Sequence, residues 1–268
     1  MAVRRRALPG THHDAASLPT VAVTPLGTAA EVLVATGHDP FARSSLRRPT
    51  MSGWLLEGAT AWLGVDPEEG TPYVSALGTP ASVGQLIDQL VTELPPRQRV
   101  TVPRGTPAHL PAWVGLDGTD WDFRWLARAP AVQLGEDRVE PVEDDAAVKD
   151  LLKLASPTAS ALPGDAAVKR WVGLRDGDGP LLACAADTSG ATGVGHLSSI
   201  AVHPDHRGRG LARAVTAALT RRLLQEGNDL VTLAMYADNT AGRALYDSLG
   251  FADDHRFTSG PLLVRGRW

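Results

Sequence analysis

Val202-His203-Pro204-Asp205-His206-Arg207-Gly208-Arg209-Gly210-Leu211-Ala212 is the stretch whose reading decides the fold. An apolar run, Leu197 to Val202, leads into it, and a helical pattern from Leu211 to Glu226 leads out. Between them lies a turn dense in glycine and arginine. A strand, such a turn and a helix N-terminus together make an anion site. The amides of the first helical turn lack intrahelical acceptors, and the helix dipole favours negative charge there. Glycine permits positive φ and close backbone approach, and arginine reaches outlying phosphate oxygens. A Walker A loop would need Gly-Lys-Ser/Thr and a Rossmann fingerprint Gly-x-Gly-x-x-Gly; neither is present. An ordinary strand-to-helix turn with solvated arginines would read similarly, so a second signal is needed.

Composition narrows the class. A chain of 268 residues is long for one compact domain and comfortable for two. The 43% hydrophobic and 21% charged shares describe a globular protein with ample core, and a net charge of −4 argues against general nucleic-acid binding. The single Cys184 rules out an intramolecular disulfide, sits in an apolar run and reads as core. No apolar stretch approaches the ~18 residues of a membrane span. After Arg4-Arg5-Arg6, His12, His13 and Asp14 stand where an export signal needs apolar residues. A cytoplasmic protein is expected.

Taken in order, residues 1–20 read as a loose tail. Thr28–Thr36 reads as a short helix, and 41–53, with Arg43, Arg47, Arg48 and Pro49, as an irregular basic loop. Strand-like runs follow at Gly53–Leu56, Ala61–Val65 and Tyr73–Leu77, with a turn at Asp66-Pro67-Glu68-Glu69-Gly70. Ser82 is expected to cap an amphipathic helix that Pro95-Pro96 terminates. A strand at Arg99–Val102, a short helix near Ala108–Val114 and a strand at Trp121–Ala127 complete this half.

The second half opens on a strand, Val139–Val142, and a helix starting within Glu143-Asp144-Asp145 and broken at Pro157. A second, shorter helix is expected at Asp165–Trp171. The strands Val172–Arg175 and Pro180–Ala186 flank a hairpin turn, Asp176-Gly177-Asp178-Gly179. Then come the strand His196–Val202, the helix 211–226, the strand Asp229–Met235, the helix Thr240–Leu249 and strands from Phe251 onward.

A second motif supplies the missing signal: Asn239-Thr240-Ala241-Gly242-Arg243-Ala244-Leu245-Tyr246-Asp247-Ser248-Leu249-Gly250-Phe251. It resembles the Asn-x-x-Ala-x-x-Leu-Tyr-x-x-Leu-Gly-Phe segment of the GNAT acyltransferase superfamily, with Gly242 in place of the usual alanine. Arg207-x-x-Gly210-x-Ala212 is similar to that family's pyrophosphate loop, Gln/Arg-x-x-Gly-x-Gly/Ala. Two independent motifs in the expected order identify the C-terminal half as GNAT-like.

The resemblance implies an α/β (α+β) fold, a GNAT domain at 131–268 whose central mixed, mostly antiparallel sheet is flanked by helices. The run from Tyr73 to Ala127 repeats the strand-helix-strand order in blurred form. Its turn, Gly78-Thr79-Pro80-Ala81-Ser82-Val83-Gly84, lacks the arginine and the glycine spacing. Residues 21–130 therefore read as a degenerate GNAT-like domain, in a tandem like that of the glycine N-acyltransferase-like branch.

The resemblance also implies acetyl-CoA as co-substrate, no metal, and transfer to a primary amine of a small molecule or amino acid by direct attack in a ternary complex. Ile200 and Val202 would align the acetyl group and pantetheine through their amides. Arg207, Gly208, Arg209, Gly210, Leu211 and Ala212 would surround the pyrophosphate, with Arg213 as a possible addition. Asn239 would meet the pantetheine arm or simply cap its helix. Tyr246 would protonate the departing thiolate or simply pack in the core. Many relatives place a glutamate base at positions matching Ser198 or Ser199. Here serine stands at both, and His196, two residues before Ser198 on the same strand face, is the candidate base, with a polar strand-edge role equally open. A CoA-binding sensor without transfer activity, or a protein or peptide N-acetyltransferase, would share these motifs. The expected molecule is a monomer or homodimer that binds neither nucleic acid nor membrane.

Overall fold

A computed structural model describes residues 22–46, 50–65, 71–95 and 97–265. The expected N-terminal tail, the turn at 66–70, Arg47, Arg48, Pro49 and the second proline of Pro95-Pro96 lie outside these residues. Among the described residues no helix is long and apolar enough to cross a membrane.

The N-terminal half begins with β1 (Thr24–Thr28) and α1 (Ala29–Ala35). Thr28 caps α1 in a capping box with Glu31. The segment expected as an irregular basic loop instead holds α2 (Pro40–Ser45) and the start of β2 (Thr50–Leu56). Asp39 accepts hydrogen bonds from the Phe41 and Ala42 amides, Pro40 suits the first helical position, and Phe41 and Ala42 are buried. The arginines hid that anchor.

β3 (Ala59–Val65) and β4 (Pro72–Gly78) follow, then α3 (Pro80–Leu90), β5 (Arg99–Pro103), β6 (Val114–Leu116) and β7 (Thr119–Leu126). Two expectations are corrected here. Thr79, not Ser82, caps α3, because Pro80 starts the helix and the Ser82 amide donates to Thr79 Oγ1. The short helix near 108–114 is a 3-10 turn at Thr106–His109 followed by β6. Pro107 suits a turn's start, but Pro111 has no amide hydrogen to carry a helix onward.

The C-terminal half runs β8 (Glu140–Val142), α4 (Asp145–Ala155), β9 (Arg170–Arg175), β10 (Leu181–Asp187), β11 (Val194–Val202), α5 (Leu211–Gln225), β12 (Leu230–Tyr236), α6 (Thr240–Leu249) and β13 (Ala252–Val264). The helix expected at Asp165–Trp171 does not form. Its apolar residues Val168 and Trp171 pack under α4 instead, and β9 begins at Arg170. Two faces of the sheet are covered. Ala183 and Ala185 of β10 meet α5 and α6, while Cys184 and Ala186 meet α4. That alternation is the period-two geometry of a strand buried on both sides.

The sheet joins both halves in the order β1-β2-β3-β4-β5-β13-β7-β12-β11-β10-β9-β8, with β6 pairing β13. The halves exchange their last strands. β7, from the first half, pairs with β12, and β13, from the second, pairs with β5. Within each half one parallel pair, β4 with β5 and β11 with β12, interrupts the antiparallel ladders. The large mixed sheet flanked by helices agrees with the expected α/β class.

Charge is buried along this seam. The carboxylate of Asp122 is fully buried on β7, 2.7 Å from Arg104 of the first half and 2.5 Å from Arg243 on α6. Removing one partner of a buried, hydrogen-bonded pair leaves uncompensated charge. Asp122→Ala, which leaves two guanidinium groups facing each other, is expected to destabilise the protein by about 3–5 kcal/mol in urea unfolding.

Candidate active site

β11 and β12 pair only over Val194–Leu197 with Leu230–Leu233. Beyond Leu197 the two strands part, and among the described residues no strand pairs with the β12-facing edge of residues 198–202. On its other edge β11 remains paired with β10, but the register jumps between Cys184 and Ala186. Ser199 takes a positive φ of 48° at this bulge, a strained conformation for a residue with a side chain. Its hydroxyl is held on both sides by Ala161, accepting from the amide at 2.9 Å and donating to the carbonyl at 2.8 Å. Ser199 is thus a clamp that fastens the segment after α4 against the bulge, and it has no spare geometry for proton abstraction.

The parted strands and that clamped segment enclose a cleft of about 520 Å³. Of the residues singled out in the sequence, His196, Ser198, Ile200, Asn239 and Tyr246 line it. Ser198 Oγ lies 2.8 Å from Thr188 Oγ1. His196 Nδ1 lies 2.8 Å from Thr232 Oγ1, and that hydroxyl donates to the Gly195 carbonyl. With its one proton committed, Thr232 accepts from the imidazole, which assigns the Nδ1–H tautomer and gives His196 a defined orientation.

Tyr246 is almost fully buried between the cleft and the core, its ring 5.9 Å from that of Phe251. Burial pushes its phenol up to about 12, against a smaller opposing pull from Arg124. The group stays protonated across the physiological range and so keeps a proton to donate. Asn239 Oδ1 accepts from the Gly242 amide and so caps α6. A Cβ at 242 would stand 2.6 Å from Asn239 Nδ2, so alanine there would require that side chain to shift.

The remaining expected cofactor contacts, from Val202 at the end of β11 onward, lie outside the lining of the cleft. After Val202, a 3-10 turn at Pro204–His206 leads into Arg207–Ala212. Gly208 and Gly210 adopt φ of 74° and 81°, the left-handed region in which L-residues other than glycine are strained. Gly210 stands at the cap of α5, and among the described residues no side chain caps that helix. Arg207 and Arg209 precede it, both exposed. Arg207 also donates to the Ala155 carbonyl at the end of α4, and Arg213 donates to Ser248. The equivalent turn of the first half is closed. Thr79 caps α3 and Pro80 removes an amide hydrogen.

Several lining groups escaped the sequence reading. Ser156, Thr158 and Ser160 form one wall from a segment with no motif, and Tyr236 and Asp238 flank the mouth at the end of β12. Trp121 comes from β7, in the other half. Its indole donates to Ser259 and its ring lies 4.9 Å from Phe257, so it is a braced wall. Cys184 is buried with its thiol pushed up to about 12 by burial, which suits core packing and excludes a nucleophile.

Comparison with known proteins agrees with this geometry. Residues 171–258 match the family model described as FR47-like protein. A mycothiol acetyltransferase from Kocuria rhizophila is 47% identical over 62 residues, 23% of this chain and 20% of that relative. An acetyltransferase from Pectobacterium atrosepticum is 34% identical over 76 residues, 27% of this chain and 54% of the relative. The chain thus spans between about a fifth and about half the length of these relatives. Among solved structures, a GCN5-related N-acetyltransferase from Sphaerobacter thermophilus superposes with a TM-score of 0.54 at 16% identity, over 91% of this chain and 97% of the other. Residues 171–258 are thus similar to the FR47-like family, and the chain shares its fold with a GCN5-related N-acetyltransferase.

Proposed function

We propose that the protein is an acetyl-CoA-dependent N-acetyltransferase that acetylates a primary amine of a small molecule or amino acid by direct attack in a ternary complex. The observation that carries this reading is the continuity of one path. The parted edge of β11 runs from the cleft holding His196 and Tyr246 to the uncapped N-terminus of α5. An extended thioester cofactor needs both ends of that path: backbone amides for its pyrophosphate, and a donor beside its sulfur. Acetyl-CoA, when bound, supplies the activated acyl group.

The protein's own residues then do three things. The edge of β11, with Ile200 and Val202, offers amides to the pantetheine arm and to the charge developing on the thioester oxygen. His196 is the candidate to accept the amine's proton, directly or through water, because an ammonium cannot attack. Tyr246 donates to the departing sulfur, and its burial keeps the proton available. The burial of Cys184, the chain's sole cysteine, supports direct transfer over a route through a cysteine thioester. We read the two halves as a tandem pair like that of the glycine N-acyltransferase-like branch, with 21–130 as the degenerate partner whose closed turn has lost its phosphate amides.

Calorimetric titration with acetyl-CoA, combined with thiol release across a panel of amines, tests the proposal. Binding together with amine-dependent thiol release is expected. Absence of binding would overturn it, and binding without release by any amine would favour the sensor. Tyr246→Phe is expected to lower kcat about 100-fold while leaving acetyl-CoA affinity nearly unchanged. Unchanged turnover would remove Tyr246 from the donor role.

A further inference from the structure

The N-terminal half has a cleft of its own, about 500 Å³, beside the point where β4 and β5 cease to pair after Ser75 and Thr101. Asp39, from the turn before α2, and Asp254 and His255, from β13, stand in its wall. Neighbouring residues on a strand ordinarily point to opposite faces. Here the register of β13 against β7 jumps between Asp253 and His255, and this bulge lets Asp254 and His255 converge on the same point. His255 Nε2 lies 2.8 Å from Asp39 Oδ2 and 3.6 Å from Asp254 Oδ2. One donor atom from each residue lies within 4.8 Å of the others.

Those spacings fit a metal ion. Ligand atoms around a tetrahedral ion at ~2.0–2.1 Å stand about 3.3 Å apart, between the two separations observed. Both carboxylates are already oriented by other donors, as ligating carboxylates commonly are. Asp39 Oδ1 accepts from the Phe41 and Ala42 amides, and Asp254 Oδ2 accepts from the Trp125 indole. Trp125, like His255, belongs to the exchanged pair of strands.

We propose that Asp39, Asp254 and His255 form a binding site for a first-row divalent transition ion of the Zn²⁺ type, with a fourth position open to water from the cleft. One imidazole nitrogen and two carboxylate oxygens suit Zn²⁺ or Co²⁺, whereas Mg²⁺ and Ca²⁺ take oxygen shells. Two carboxylates and a neutral imidazole also balance the charge of a dication. The proton is the ion's competitor. A ligating imidazole must be neutral at the nitrogen that faces the ion. The bound ion fastens the start of α2 to β13, the strand that crosses between halves. The ligands at 39 and 255 are 216 residues apart, so no spacing motif announces them, and this site departs from the expectation of no metal.

Titrating the full-length chain with ZnCl₂, and with CoCl₂ followed by its visible absorption, tests the site. One ion per chain is expected, with a metal-dependent rise in melting temperature. His255→Gln and Asp254→Asn, each checked for unchanged circular dichroism, should weaken binding about 100-fold. The rings of His203 and His206 lie 5.3 Å apart and offer a competing adventitious site. A His203→Gln, His206→Gln variant and a His12→Gln, His13→Gln variant should therefore bind as the parent does. Absence of binding overturns the proposal, as does binding that survives both Asp254→Asn and His255→Gln or that follows the other histidines.

Discussion

Gly210→Asp is expected to reduce acetyl-CoA affinity on the order of 100-fold, measured by calorimetry, while the protein remains folded. A Cβ at this position meets nothing within 4 Å, so no packing is lost. The φ of 81° adds strain of about 1–2 kcal/mol for a residue with a side chain. The larger effect is electrostatic. The new carboxylate would sit at the start of α5, which no side chain caps and where the proposed pyrophosphate would lie. A unit negative charge about 4 Å from another, at the effective dielectric of a protein surface, costs about 4 kcal/mol, and salt reduces this toward the stated figure. Gly210→Ala separates the contributions, since it carries the strain without the charge and should lose only a small fraction of the affinity. Equal binding by Gly210→Asp and the parent would show that Arg207–Ala212 is not the phosphate site.

Separating the chain at residue 130 is expected to leave neither half as a stable monomer. Residues 131–268 alone would lose β7, which pairs with β12 on one side and β13 on the other. β13 would also lose β5. Two long strands would then present unpaired edges, which favour aggregation or swapped dimers. Asp122 would go with β7, leaving Arg243 without its buried counter-charge. A domain's stability is only about 5–15 kcal/mol in total, so losing a central strand exceeds what the remainder can absorb. Co-expressed halves should associate and recover one cooperative melting transition. A C-terminal fragment that stays monomeric and melts as the intact chain does would contradict the exchange. The same cut removes Trp121 from the cleft, so a rescued fragment would still lack one wall of the site.

Much of the active region was legible in the residues because its signals are local. Asn239 and Gly250 bracket α6 at the expected bounds, since a side-chain cap and a left-handed glycine each act within one turn. Leu211 to Gln225 follows the same logic, and the left-handed Gly208 and Gly210 need only their own backbone angles to form the turn. Local signals also misled. The arginines after Pro40 suggested a solvated loop, yet Phe41 packs 4.4 Å from Phe257, a partner far away in the chain. Asp165–Trp171 has helical spacing, but its tryptophan finds α4 and the strand of β9 prevails.

What the sequence by itself determined is the pair of motifs, the strand-helix elements that carry them, and hence the kind of cofactor they suit. Each rests on contacts within a few residues. Only the tertiary structure decided that the halves trade their last strands, that Trp121 walls the cleft, that Ser199 is a clamp, and that His196 has its tautomer set by Thr232. Those outcomes depend on pairings between residues distant in sequence, as when β7 and β13 can satisfy their backbone hydrogen bonds in more than one order. The choice between such orders is made by the packing of the whole sheet and its buried charges, which no local window contains.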